Sequence, residues 1–180
     1  MNSFYSLSLC LLMTLATLSM SSLASAKNKL VVFDNDTTEL VVDLVKVDKS
    51  SRRMYLYSND TLVKQYHIAL GPQPKGHKEQ EGDGRTPEGS YTLDYKKENS
   101  AFYRSMHIDY PNQQDVANAK AKNIDPGGFI MIHGQKSLNT KQALIMQKFN
   151  WTDGCIAITN AEMDEFMNLV DTGTKIQIQW

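Results

Sequence analysis

Two residues in this chain have the chemistry of a nucleophile and its base. Cys155 is the one cysteine that remains once the leader segment described below, which holds Cys10, is set aside. His133 closes the apolar run Phe129-Ile130-Met131-Ile132 and is followed by Gly134. A thiol is a weak nucleophile until an imidazole takes its proton. Pairing as thiolate and imidazolium is expected to lower Cys155 below the free thiol value of about 8.5. Cys155 follows Gly154 in the polar turn Trp151-Thr152-Asp153-Gly154, where a sharp bend can aim a thiol at a cleft. A single cysteine with a distant histidine is a candidate catalytic pair. The backbone N–H groups of Gly154 and Cys155 are candidate donors to an oxyanion. The plain alternative is a packing cysteine and a satisfied strand-end histidine.

The pair lies too far apart along the chain to meet on one strand, so the segment between must bring the chain back. Phe129 to Ile132 reads as a buried strand bounded by glycines. Asn139 to Phe149 offers Leu144, Ile145 and Phe149 at near-helical spacing, a short returning helix. Trp151 reads as a packing anchor. Beyond Cys155, Thr159-Asn160-Ala161-Glu162 is a capping-box pattern. Met163, Phe166, Met167 and Val170 then recur on one helical face, which predicts a buttress beside the cysteine turn. Gly173 ends that helix, and Thr174 to Trp180 reads as a last strand.

Upstream, Leu30 to Ser58 alternates as strands do, with a hairpin turn at Lys49-Ser50-Ser51, and Leu62 to Leu70 follows. Gly71-Pro72-Gln73-Pro74 ends that strand, because proline donates nothing to a ladder. These segments predict an opening β-meander. Lys75 to Arg85 is a charged, glycine-rich loop, with Lys75, His77, Lys78 and Glu79 read as a solvated rim. Ser90 to Tyr95 and Phe102 to Tyr110 read as strands, the second with core aromatics that also suit a cleft wall. Gln113 to Lys122 has helical composition and is stopped by Asp125-Pro126-Gly127-Gly128.

Met1 to Ala26 carries no charged side chain. Leu7 to Met20 is an apolar core and Ala24-Ser25-Ala26 a small-x-small ending, so residues 1–26 read as a secretory signal cleaved before Lys27. Residues 27–43 form a lead-in and 44–180 a single domain. At about 150 residues the mature chain is long enough for one sizeable core. A lone thiol exported to an oxidising space asks for a reason, and catalysis supplies one. The net charge of −1 argues against a chain-wide surface for nucleic acid or anionic membrane. His67, His77, His107 and His133 show no metal-binding spacing, and nothing calls for a cofactor.

Three ordered motifs resemble those of the L,D-transpeptidase catalytic domain family of the YkuD type. They are His133-Gly134 followed after a spacer by Thr152-Asp153-Gly154-Cys155-Ile156, the segment Gly82-Asp83-Gly84-Arg85-Thr86-Pro87-Glu88-Gly89-Ser90-Tyr91, and the ending Asp171 to Ile178. The chain departs from the commoner pattern in having Asp153 where many members carry histidine and Ala157 where they carry arginine or asparagine. The resemblance implies a mostly β fold with a few helices, a β-sandwich or open barrel whose C-terminal helix packs beside the catalytic turn. It implies Cys155 as nucleophile, His133 as proton donor and acceptor, and the Gly134 carbonyl as the group that orients the imidazole. Arg85, Thr152, Asp153 and Tyr103 are candidate substrate contacts. The implied substrates are peptidoglycan stem peptides in the periplasm or cell envelope, with roles in cell-wall biogenesis and cell shape. The acyl group would pass from the third residue to an amine of a second stem or a lipoprotein. Alternatively water resolves the thioester, which trims stems or releases wall-attached protein. A reading of another class is a non-catalytic wall-binding domain.

Overall fold

The computed structural model describes residues 40–136 and 139–180. The leader and most of the lead-in lie outside the described residues. Among the described residues, eight strands and three helices follow one another. Strands β1 (Leu44–Asp48), β2 (Arg53–Ser58) and β3 (Thr61–His67) form the expected antiparallel meander. Their apolar alternation sends Val45, Val47, Met54 and Leu56 into the core. Next come β4 (Gly89–Ser100), β5 (Tyr103–Ile108), α1 (Gln113–Lys122), β6 (Met131–His133), α2 (Thr140–Met146), β7 (Ile156–Ala157), α3 (Asn160–Leu169) and β8 (Lys175–Gln179).

The strands make one open mixed sheet in the order β3-β2-β1-β8-β4-β5-β6-β7. The last strand enters between β1 and β4, so the first and last of the described strands share the centre of the sheet. It pairs parallel with β1 and antiparallel with β4. The second parallel pair, β6 with β7, is the one that carries the candidate pair. Helix α3 has Thr159 as its N-cap and a complete Thr159–Glu162 capping box. Its buried face, Met163, Phe166 and Met167, closes the core against β5. Each such side chain contributes roughly 1.5–3 kcal/mol by leaving water.

Three expectations need correction. The strand before the histidine is shorter than Phe129–Ile132 suggests. Phe129 sits at φ 55° with 80% of its surface exposed, and regular pairing begins only at Met131. The left-handed residue breaks the ladder and turns the ring outward. Helix α2 does return the chain, but none of its residues is buried, and Leu144, Ile145 and Phe149 lie exposed. Finally, Lys78 is not on a solvated rim: it is buried, and its ammonium donates to Gln80 O (2.9 Å) and Asp83 Oδ1 (2.9 Å).

Candidate active site

The register of β6 and β7 places Ile132 opposite Ile156 and His133 opposite Ala157. Continued by one residue, it sets Cys155 opposite Met131, two positions before His133. Side chains alternate along a strand, so Cys155 and His133 leave the same face of neighbouring strands. The Cys155 Sγ accepts from the Met131 N–H (3.4 Å) and itself points at Phe129 O (3.7 Å). The helical excursion between the strands thus does what the long spacing demands. It converts a large separation in sequence into adjacency in the sheet.

His133 is 4% exposed. Its Nδ1 lies 2.6 Å from Gly134 O. A carbonyl only accepts, so the proton sits on Nδ1, and Nε2 keeps its lone pair. The ring is flanked by Phe102 (centroids 4.8 Å) and Trp151 (5.5 Å, edge to face). Burial lowers the His133 pKa, and the Gly134 hydrogen bond only partly offsets that. Burial also pushes the Cys155 thiol up, against the Met131 N–H that lowers it. This corrects the expected lowered thiol. Removing both groups from water favours their neutral forms.

The turn that carries Cys155 is built by backbone contact. Gly154 has φ 119°, and a Cβ there would stand 2.5 Å from Arg85 O. A Cβ on Gly71 would collide with Gly84 O and stand 3.0 Å from Gly154 N. Gly71 and Gly154 therefore let the segments around 71, 84 and 154 touch main chain to main chain. Thr86 Oγ1 donates to Gly154 O (2.8 Å) and ties the loop to the turn.

The remaining candidates divide. Thr152 is buried; its hydroxyl donates to Cys155 O (2.7 Å) and accepts from the Gly154 N–H (3.3 Å). It is a brace for the turn and presents no hydroxyl to a substrate. The same bond occupies the Gly154 N–H, so the expected pair of oxyanion donors reduces to Cys155. Asp153 is exposed, and its charge helps to raise the thiol. Tyr103 is exposed at φ 75°; its hydroxyl donates to Asp164 (2.9 Å) while its Cβ side lies against Gly134. Arg85 abuts the cysteine turn through its main chain, and its guanidinium reaches back to His77 O (3.5 Å).

Sequence reasoning missed the supports. Lys49 is 1% exposed and donates to Gly76 O (2.7 Å) and Thr86 O (2.9 Å), with Glu88 at 2.9 Å. Burial pulls its pKa down and Glu88 pulls it up. Gln135 and Gln147 are both buried and bonded to each other (2.8 Å), and Gln147 also donates to His67 O (3.1 Å) and Ala157 O (2.5 Å). The Thr86-Pro87 segment pointed to its own loop, but no local signal marked the two glutamines.

Comparison with known proteins follows from this geometry. The sequence pattern of the L,D-transpeptidase catalytic domain, YkuD, matches residues 42–178. YafK of Escherichia coli (strain K12), assigned by name to the L,D-transpeptidases, is 27% identical over 132 residues, which is 70% of this chain and 46% of that protein. The helical cell shape determining protein Pgp2 from Campylobacter jejuni superposes with a TM-score of 0.56 at 26% identity over 77% of this chain and 47% of that one. An L,D-transpeptidase from Mycobacterium smegmatis shares the fold at a TM-score of 0.51 and 12% identity, covering 76% of this chain and 58% of that one. The chain spans about half the length of YafK and Pgp2.

Proposed function

Since the chain belongs to the L,D-transpeptidase catalytic domain family, we propose that it is a cysteine acyltransferase acting on peptidoglycan stem peptides. The observation that carries this reading is the register that sets Cys155 and His133 on one face of neighbouring strands, with His133 Nδ1 directed at Gly134 O. His133 acts as a general base at the moment of attack. Its Nε2 takes the thiol proton while Sγ bonds to the carbonyl carbon between the third stem residue and the terminal D-residue. The oxyanion that forms is received by the Cys155 N–H; one such donor is typically worth about 2.7–4 kcal/mol. His133 then gives its proton to the departing amine, the C–N bond breaks, and a thioester remains on Cys155. An amine of a second stem or a protein attacks that thioester, passes its proton to Nε2, and the thiol is restored. Water in place of the amine gives a trimmed stem, the hydrolytic alternative.

Supporting the class of substrate are the family membership and the likeness to Pgp2, a helical cell shape determining protein. We infer export to the periplasm or cell envelope from residues 1–26 and from where peptidoglycan lies. Arg85, Asp153 and Tyr103 are proposed to line the approach to the thiol. The test is incubation of the mature protein with tetrapeptide-bearing muropeptides, read by mass. Dimers lacking one terminal D-residue are expected, and tripeptides would mean hydrolysis. The Cys155→Ala variant should lose all turnover. Unchanged muropeptides with the wild-type protein would remove the assignment and leave the wall-binding alternative.

A further inference from the structure

His133 is steered by a peptide group, and that peptide group is itself steered. The Gly134–Gln135 peptide offers its carbonyl to His133 Nδ1 (2.6 Å) and its N–H to Asn160 Oδ1 (2.6 Å). A trans peptide is planar, with C=O and N–H pointing in opposite directions. Holding the N–H toward α3 therefore aims the carbonyl at the imidazole. Asn160 is the first residue of α3, but the helix does not need its side chain. The N-cap is Thr159, and the capping box is closed by Glu162. Its amide oxygen is thus free to serve the neighbouring strand.

A second observation points the same way. A Cβ at position 134 would stand 2.5 Å from Asn160 Oδ1 and 3.1 Å from Tyr103 Cβ. Glycine at 134 is what lets the amide oxygen come close enough to grip the next N–H. The far side of this peptide is anchored as well: Gln135 Nε2 donates to Ala143 O (3.0 Å) and Gln147 Oε1 (2.8 Å). Side chain and main chain of Gln135 are therefore fixed at three points.

We propose that Asn160 is a positioning residue for the cysteine reaction. It holds the Gly134–Gln135 peptide in the orientation that keeps His133 in its Nδ1–H tautomer, with the Nε2 lone pair left for the thiol proton. This rests on the reading of His133 as the base. Asn160 acts through the peptide and touches no reacting atom. Without its acceptor the peptide is free to rotate, and the carbonyl loses its aim. The ring then populates the Nε2–H tautomer, which cannot accept the proton of Cys155. The requirement is for an acceptor alone, so aspartate should serve and alanine should not.

The test compares wild type, Asn160→Ala and Asn160→Asp, each with ¹⁵N-labelled histidine and each verified as folded by its urea midpoint. Ring nitrogen shifts report the His133 tautomer whether or not the protein turns over. Release of the terminal D-residue from a tetrapeptide muropeptide gives kcat and KM. Asn160→Ala should show mixed tautomers and a kcat lower by about tenfold, the scale of one oriented hydrogen bond, with KM unchanged. Asn160→Asp should recover the Nδ1–H form and most of the rate. Should Asn160→Ala not fold, Asn160→Ser replaces it, since its shorter side chain cannot reach the Gln135 N–H. A wild-type tautomer in the alanine or serine variant would overturn the proposal, as would an aspartate variant no better than alanine in both readouts. A wild-type protein without turnover would count against the enzyme reading, while the ring spectra still decide the role of Asn160.

Discussion

The two segments that flank the candidate pair are held in opposite ways. On the side of the cysteine, residues 71–88 have little regular structure but many fixed points. Lys49, Lys78, Asp83 and Thr86 satisfy the loop's own polar groups, and its glycines press on the turn at Gly154. On the side of the histidine, α2 is a regular helix with no buried residue, joined to the rest mainly through the bonds of Gln135 and of the buried Gln147 at its base. Secondary structure and rigidity are thus separate properties here. What fixes a segment is buried partners, and a helix without them belongs to the low-stability end of a fold. A site needing an exact nucleophile and an adaptable entrance would be built in this way.

The contrast can be broken most forcefully at Lys49. Lys49→Ala removes the donor for two carbonyls and the partner of Glu88, so it should cost about 3 kcal/mol in urea unfolding. It should also lower turnover, because the loop it holds supports Gly154. A loss below about 0.5 kcal/mol, the scale of an ordinary surface change, would show that the loop is not pinned there.

A smaller effect is expected from pH. The folded His133 pKa is lowered, so the unfolded chain takes up that proton first as pH falls. Its contribution to stability is present above the unfolded value of about 6.5 and is lost on acidification below it. Cys155 has a raised folded pKa, so its contribution is present below about 8.5 and is lost as pH rises beyond it. Urea midpoints should therefore rise with pH on the acid side and fall on the alkaline side more steeply in wild type than in Cys155→Ser. Alkylation of the free thiol by iodoacetamide should be slow at pH 7 and climb above about pH 8.5. Fast labelling at pH 6–7 would instead mean a standing thiolate.

The smallest effect belongs to α2. Ile145→Ser and Phe149→Ser remove exposed apolar side chains, and stability should stay within about 0.5 kcal/mol. Hydrogen exchange sharpens the same point. Amides of residues 140–149 should exchange well before those hydrogen-bonded in 79–86. Equal protection of the two segments would erase the distinction.

What the sequence disclosed follows the reach of each signal. Cys155 and His133 stand out because a thiol after glycine and an imidazole after an apolar run are local patterns. The capping box at Thr159–Glu162 and the limits of α1 are local too, and both are found as expected. Lys49 and Lys78 were hidden because a lysine among turn residues ordinarily faces water, and only the tertiary fold supplies carbonyls to receive it. The inward hydroxyl of Thr152 was hidden for the same reason. Phe129 misled because an apolar run predicts burial of each member, whereas its left-handed backbone turns the ring out. The expected lowering of the Cys155 pKa is opposed by a quantity that no spacing encodes, the burial of the thiol.

Where residues 71, 84 and 154 meet, no side chain stands between the segments to absorb a displacement. The turn of the candidate nucleophile is consequently in direct main-chain contact with the loop. A ligand that draws residues 71–85 aside would pull on the main chain of that turn through these contacts. Inhibitors directed at the loop would then act as mechanical antagonists of the thiol without ever reaching it.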